Sequence, residues 1–486
     1  MNVLQRDSKR LEYIGEKGKF HLKFLVPQML SSVQQRTLVA LKTIAWLVLL
    51  SFSLTAQGQT GTPTATVNWI DVHQTMDGFG GQTWVYADSL TDAHADLFFS
   101  PSAGIGLAYV RTANTSDGSI PDLITLQKAV VRGALVELSL QSPPASLKNS
   151  GTFNDGSTSS NGTCFTSSQS LAASFSSYAT YIVNYINTLQ GSPNNIPIAV
   201  LDVQNEPNIS SSSLGACLWG SGTNFDTFVG TYLGPALAAA NLHPKVMLGS
   251  ASNWFSSDFT TTCLNDANCA KYVSIAAGHG YGYPFTPSAY SLGTSNGRHL
   301  WMSETGSQGA QDFSMSDALT LAKNIHNFLT MANVSGYEYW ELAYQAGFNF
   351  GLTDNNFNPA KRFYAEGNWS KFVRPGWVRI DATATPVSGA FVSAYKDPIS
   401  GKFAIVAVNQ NASDQPLDFT LNGFPAASVT PWVTSASLDL AQQPSISAGG
   451  GSFSSTLLAS SVTTFVSSTV SSTAVLPPTN VIATVH

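Results

Sequence analysis

The chain has 486 residues, 43% of them apolar and only 11% charged, with 39 Gly and 23 Pro. That apolar content excludes a disordered chain, and 23 Lys and Arg in total exclude a nucleic-acid binder, which needs clustered cations for phosphates. Charge is uneven: residues 1–56 carry eight Lys/Arg against three Asp/Glu, net +5, and the remainder sums to −11.

The basic head contains the apolar run Ile44 to Leu54, preceded by Arg36 and Lys42 and followed by Thr55-Ala56-Gln57. A basic segment, a short apolar stretch and small residues before polar sequence describe an export signal over 1–56, with Met29 as an alternative start of ordinary proportions. A membrane span would need about 20 apolar residues. The expectation is a secreted, monomeric body with no membrane association once the signal is removed.

Residues 57–74 include the strand-like Ala65–Val72, expected to join a C-terminal side domain. From 75 to 377, eight short apolar runs end in polar or Gly residues: Gly78–Gly80, Leu107–Arg111, Leu135–Leu140, Ala199–Gln204, Val246–Gly249, Ala276–His279, Leu300–Glu304 and Gly336–Glu341. Helical spacing fills gaps between them, as in Leu171–Leu189 and Asp317–Met331. Alternating strand and helix predicts a parallel sheet, and eight units predict closure into a (β/α)8 TIM barrel, an α/β fold. From 378 to 467 short alternating runs separated by turn residues replace helices: Phe391–Tyr395, Phe403–Asn409, Leu417–Leu421, Val429–Thr434 and Ser461–Val466. They predict an all-β side sandwich. Residues 468–486 are rich in Ser, Thr and Pro and read as a tail.

All four cysteines lie in the body. An even count in an exported chain implies two disulfides. Three pairings are open. The short polar loop between Cys263 and Cys269 favours that pair, leaving Cys164 with Cys217. Their spacing matches no zinc module, and no metal or cofactor is expected.

Barrel chemistry sits where strands end. The fourth predicted strand runs into Asn205-Glu206-Pro207, and the seventh into Ser303-Glu304-Thr305. In so weakly charged a chain, two Glu at such positions suit glycosidic bond cleavage, where one carboxyl donates a proton and the other attacks the anomeric carbon or activates water. Asn205 can bond a sugar hydroxyl. Trp84, Tyr281 and Trp340 can stack on sugar rings or orient the nucleophile, as can the imidazole of His279.

These residues resemble glycoside hydrolase family 30. Asn205-Glu206-Pro207 and Trp301-Met302-Ser303-Glu304 look like its acid/base and nucleophile segments. Further likenesses are Asp77-Gly78-Phe79-Gly80-Gly81, Ser142-Pro143-Pro144, His279-Gly280-Tyr281-Gly282 and the junction Ser370–Ile380. The xylanase and glucuronoxylanase branch is the most similar. The resemblance implies Glu206 as general acid/base and Glu304 as nucleophile, with retention of configuration. It further implies Asn205 and Trp340 at the sugar over Glu304, Arg111 supporting that floor and Tyr281 beside Glu304. Two departures matter. Gln141 stands where the family usually has Trp, and Glu341–Gln345 lacks the arginines that grip a glucuronate branch. The expected activity is therefore an endo-β-1,4-xylanase not strictly dependent on glucuronate, with a polysaccharide as partner. The alternatives are a β-1,6-galactanase or glucanase, an exo-acting β-glucosidase or glucosylceramidase, and a non-catalytic carbohydrate-binding protein.

Overall fold

The computed structural model describes residues 61–467 except 85, 211–214, 256–258, 283–284 and 425–427. The export-signal and tail readings therefore fall outside the described residues. Strand β1 (Thr64–Thr75) precedes the barrel. Eight parallel strands follow: β2 (Gly78–Gln82), β3 (Tyr109–Ala113), β4 (Leu135–Ser139), β5 (Ile198–Asp202), β6 (Lys245–Ala251), β7 (Val273–His279), β8 (His299–Thr305) and β9 (Gly336–Tyr344). They neighbour one another in chain order, and β9 pairs with both β8 and β2, closing the ring. A further short strand, β10 (Gly351–Asp354), adds parallel to β9 outside the ring.

The barrel interior explains its glycines. Trp301 on β8 is fully buried and packs edge-on to Tyr109 of β3, ring centroids 4.7 Å apart. A Cβ at Gly336 would lie 2.5 Å from the Trp301 ring, and one at Gly80 would lie 2.7 Å from Glu338 Oε1. Bare backbone on β2 and β9 thus makes room for large side chains from the strands beside them.

An outer helix with one side open to solvent buries one apolar stripe. The helix Leu171–Gln190 starts at Ser170, whose hydroxyl accepts from the Ala173 N–H at 3.2 Å, and it turns Phe175, Tyr178, Ile182, Ile186 and Leu189 inward. The helices Met315–Met331 and Lys361–Ser370 pack between the barrel and the side sheet.

The side sheet has β11 (Val378–Ala382), β12 (Ala390–Lys396), β13 (Phe403–Asn409), β14 (Gln415–Asn422), β15 (Ser428–Thr434), β16 (Ala441–Gln442), β17 (Ile446–Ser447), β18 (Ser452–Leu457) and β19 (Ser461–Ser467). With β1 these form one ten-stranded hydrogen-bonded sheet that curls over its own core. Phe419, Phe453 and Phe465 stack at its centre, with centroids 4.5–5.0 Å apart. β1 lies between β11 and β14.

Buried polar side chains dock the sheet on the barrel. Asn368 donates to Trp432 O (3.0 Å) and Thr464 Oγ1 (2.9 Å) and accepts from Thr434 Oγ1 (2.7 Å). The chain enters and leaves the barrel side by side: Met76 N donates to Trp377 O at 2.7 Å, and Gly376 N to Met76 O at 2.9 Å. Disulfides join Cys164 to Cys217 and Cys263 to Cys269.

Candidate active site

Glu206 sits four residues beyond the last residue of β5. Its backbone adopts a left-handed φ of 43°, which a non-glycine residue holds only where its surroundings fix it. Here the Glu206 N–H donates to Ser250 O at 2.9 Å, pinning the turn to the end of β6. Glu304 lies within β8 rather than past its end, so the strand itself aims its side chain into the barrel mouth.

The two carboxylates meet at His279, the last residue of β7. Its Nδ1 is 3.2 Å from Glu206 Oε1 and 3.5 Å from Glu304 Oε1. Facing two acceptors, Nδ1 is the nitrogen that carries hydrogen. One ligating atom from each of Glu206, His279 and Glu304 lies within 4.8 Å of the others. So close an approach suits a pair in which the second group attacks directly, at carboxyl separations of about 5–5.5 Å, better than the roughly 6.5–9.5 Å that leaves room for water.

Glu304 is 5% exposed and held on three sides. Tyr281 donates its hydroxyl to Oε1 at 2.6 Å, and Arg111 Nη1 donates to Oε2. Burial alone would raise the Glu304 pKa, but the charges of His279 and Arg111 and the bonds from Tyr281 and Arg111 hold it below the usual carboxylate value. Burial likewise works against a charged His279, yet Glu304 and Glu206 hold its pKa above the ordinary value. Burial and the nearby Glu304 push the Tyr281 phenol well up, so it remains a donor.

Arg111 is the hub beneath. It donates to Gln82 Oε1 (2.6 Å), Ser139 Oγ (2.9 Å) and Asn205 Oδ1 (2.7 Å), and its Nε faces Glu137 Oε1 at 3.3 Å. Glu137 and Glu338 form a buried carboxyl pair below it, both raised chiefly by burial. The Arg111 guanidinium opposes that rise in both but does not cancel it.

Above this floor opens a cleft of about 400 Å³, lined by Trp84, Asn205, Glu206, Tyr281, Glu304 and Trp340 among others. Six of the eight residues expected at the site thus face it. Arg111, expected to support the floor, and His279, expected to orient the nucleophile, do not line it and so do not touch a sugar directly. They are 1% and 0% exposed and act on the site from below, through the carboxylates. Glu341, in the stretch without arginines, is fully buried, and burial followed by Glu304 pushes its pKa well up, so it offers no charge to a branch. What disfavours an anionic branch is instead the absence of Lys or Arg among the residues lining the cleft.

Residues not singled out from sequence also line the cleft: Gln82, Ser252, Asn253, Gln308 and Phe350. Phe350 packs on Trp340 (centroids 4.9 Å) and Tyr344 (5.0 Å), forming an aromatic wall. The closely spaced Phe348 and Phe350 were its only sequence signal.

Two side-chain clusters among the described residues have the donors for a metal ion. In one, Arg111 already binds the Glu304 carboxylate and opposes a cation. In the other, beside Asp226, the sulfurs of Cys263 and Cys269 are joined to each other.

Comparison with known proteins agrees with this geometry. The model of the glycosyl hydrolase family 30 TIM-barrel domain matches residues 137–301. The glucuronoxylanase XynC of Bacillus subtilis is 27% identical over 411 residues, 82% of this chain and 91% of that protein. The glycoside hydrolase family 30 subfamily 8 xylanase Xyn30A of Clostridium acetobutylicum superposes with a TM-score of 0.72 at 31% identity, over 83% of this chain and 99% of its own. A family 30 endoxylanase of Clostridium papyrosolvens gives 0.69 at 26% identity, over 83% and 99%.

Proposed function

This chain belongs to glycoside hydrolase family 30, and on that premise we propose that it is an endo-β-1,4-xylanase whose action does not depend on glucuronate branches. It is a retaining O-glycosyl hydrolase. The observation that carries the reading is the approach of Glu206 and Glu304 to within 4.8 Å, with Glu304 alone held by Arg111 and Tyr281.

Glu304, kept ionised by Arg111, His279 and the Tyr281 hydroxyl, attacks the anomeric carbon. Glu206, 25% exposed at its side chain and so open to the cleft, gives its proton to the leaving oxygen. It then takes a proton from the incoming water. Asn205, fixed through its Oδ1 by Arg111 and through its Nδ2 by Gln141 Oε1 at 3.2 Å, reaches the sugar over Glu304. Trp84 and Trp340 supply stacking faces. A glucuronate carboxylate meets no lysine or arginine in this cleft, which supports independence from that branch.

Product analysis tests the proposal. The enzyme is incubated with glucuronoxylan, arabinoxylan, unbranched xylo-oligosaccharides, β-1,6-galactan and β-1,6-glucan, with Glu304→Gln as the blank. Xylo-oligosaccharides released from unbranched and branched chains alike are expected. Single sugars only, or cleavage confined to β-1,6 linkages, would refute the substrate assignment. Undiminished turnover in Glu304→Gln would remove that residue from its role.

Export through removal of residues 1–56 belongs to the same reading. Intact mass of the protein recovered outside the cell tests it, and retention of that segment would contradict it. The proposed division into barrel (75–377) and side domain (57–74 with 378–467) would fail if limited proteolysis cut first inside either unit.

A further inference from the structure

Beside the catalytic cleft lies a second cavity of about 260 Å³. At about 30 Å³ per water it has the room of roughly nine waters, the space of one sugar ring with its hydroxyls. The two cavities share three residues, Gln82, Trp84 and Gln141. Two of these are tied to the catalytic floor, since Gln82 accepts from Arg111 and Gln141 accepts from Asn205. The third, Trp84, is held at a φ of 80°. A bulky residue rarely occupies that region, and Trp84 lines both spaces.

The walls have the chemistry of a sugar site. Trp84 and Phe153 are aromatic, and Asp88 is a half-buried carboxylate. Behind it, Asp122 accepts from Thr83 Oγ1 at 2.5 Å. No Lys or Arg lines the cavity. Two buried cations lie behind the walls: Arg111 donates to Gln82 Oε1 and to the catalytic floor, and Lys148 gives its ammonium to Ser142 Oγ, Phe153 O and Ala216 O at 2.6–2.8 Å. An anionic ring would find no cation here to hold it.

We propose that this alcove is a further sugar subsite, taking one uncharged ring of the glycan whose bond is cut at Glu304. The ring stacks on Trp84 and donates hydroxyl hydrogens to Asp88. The inference rests on the glycosidase reading above. The ring can come from the main chain or from a neutral branch, and the same chemistry serves both.

Ser116 and Asn154 stand at the exposed rim of the alcove on different loops, so Ser116→Trp and Asn154→Trp each plug it without touching the catalytic floor. Binding is measured by calorimetry in the Glu304→Gln background, with unbranched xylohexaose and with an arabinofuranosyl-branched xylo-oligosaccharide. In the active enzyme, kcat/KM is measured on the same ligands. Each plug is expected to weaken binding and lower kcat/KM at least tenfold. Loss on both ligands assigns the alcove to a main-chain ring, and loss on the branched ligand alone assigns it to the branch. If the parent cleaves these ligands and both plugged proteins bind and cleave them equally well, the subsite is refuted while the function stands. If the parent neither binds nor cleaves them, both fail.

Discussion

Replacing Tyr281 by Phe removes one hydroxyl and keeps the ring. That hydroxyl is one of three groups that keep Glu304 ionised in a site where burial favours the neutral acid. A hydrogen bond to a charged group contributes about 1.5–3 kcal/mol, and each pH unit of displacement corresponds to about 1.36 kcal/mol. The acidic limb of kcat/KM, which reports ionisation of the nucleophile in the free enzyme, is therefore expected to move up by about one to two pH units in Tyr281→Phe. Arg111 and His279 remain in place, which favours the lower end. The direction follows from the sign: losing a donor to the carboxylate favours its protonated form, so activity disappears at a higher pH as acid is added. The assay is initial rate against pH on xylo-oligosaccharides well below saturation, for parent and variant. A lower rate with an unmoved acidic limb would show that Tyr281 only shapes the cleft.

The two disulfides differ in the length of chain they close. Cys164–Cys217 spans 53 residues and Cys263–Cys269 only 6, so loop entropy predicts losses of about 4 and 2 kcal/mol for the paired Ser substitutions. Denaturant midpoints check this, and a larger loss from the short loop would contradict it. His326 is 3% exposed, and burial first, then Lys323 and Arg379, push its pKa down to about 3. Its contribution to stability is full above its unfolded value near 6.5 and is lost as pH falls towards 3, at about 1.4 kcal/mol per pH unit. His326→Leu should thus lose less stability than the parent between pH 6.5 and 5. Parallel declines would assign the acid sensitivity elsewhere.

The eight barrel strands were legible because a parallel strand covered on both faces is a short apolar run, and each such run here ends in Gly or polar residues. Glu206 and Glu304 were legible for a related reason: acids are scarce in this chain, and these two lie at or shortly after the ends of such runs. Strand β10 was not legible. Its four residues, Gly351–Asp354, are too few for periodicity, and it pairs only because β9 continues past the ring. The short β16 and β17 escaped for the same reason. Placing His279 beneath both carboxylates, and not on the surface of the site, required the fold: a strand-end position says which rim a residue occupies, not how deep its side chain lies. The alcove was invisible because its walls come from separate loops joined only in three dimensions.

The position of β1 governs the order in which the molecule can be completed. Its Thr66 is bonded to Thr383, 317 residues later in the chain, and its other edge pairs with β14. At about 5–20 residues per second, the first strand of the body is made some 15–60 s before either neighbour exists. During that interval both of its edges are open, with Ile70 and Val72 on a face that stays exposed even in the finished protein, and an unpaired apolar edge invites wrong partners. A chain halted after the barrel keeps every residue of the catalytic floor yet leaves this strand unpaired, so the penalty for losing the C-terminal side sheet falls first on solubility during synthesis.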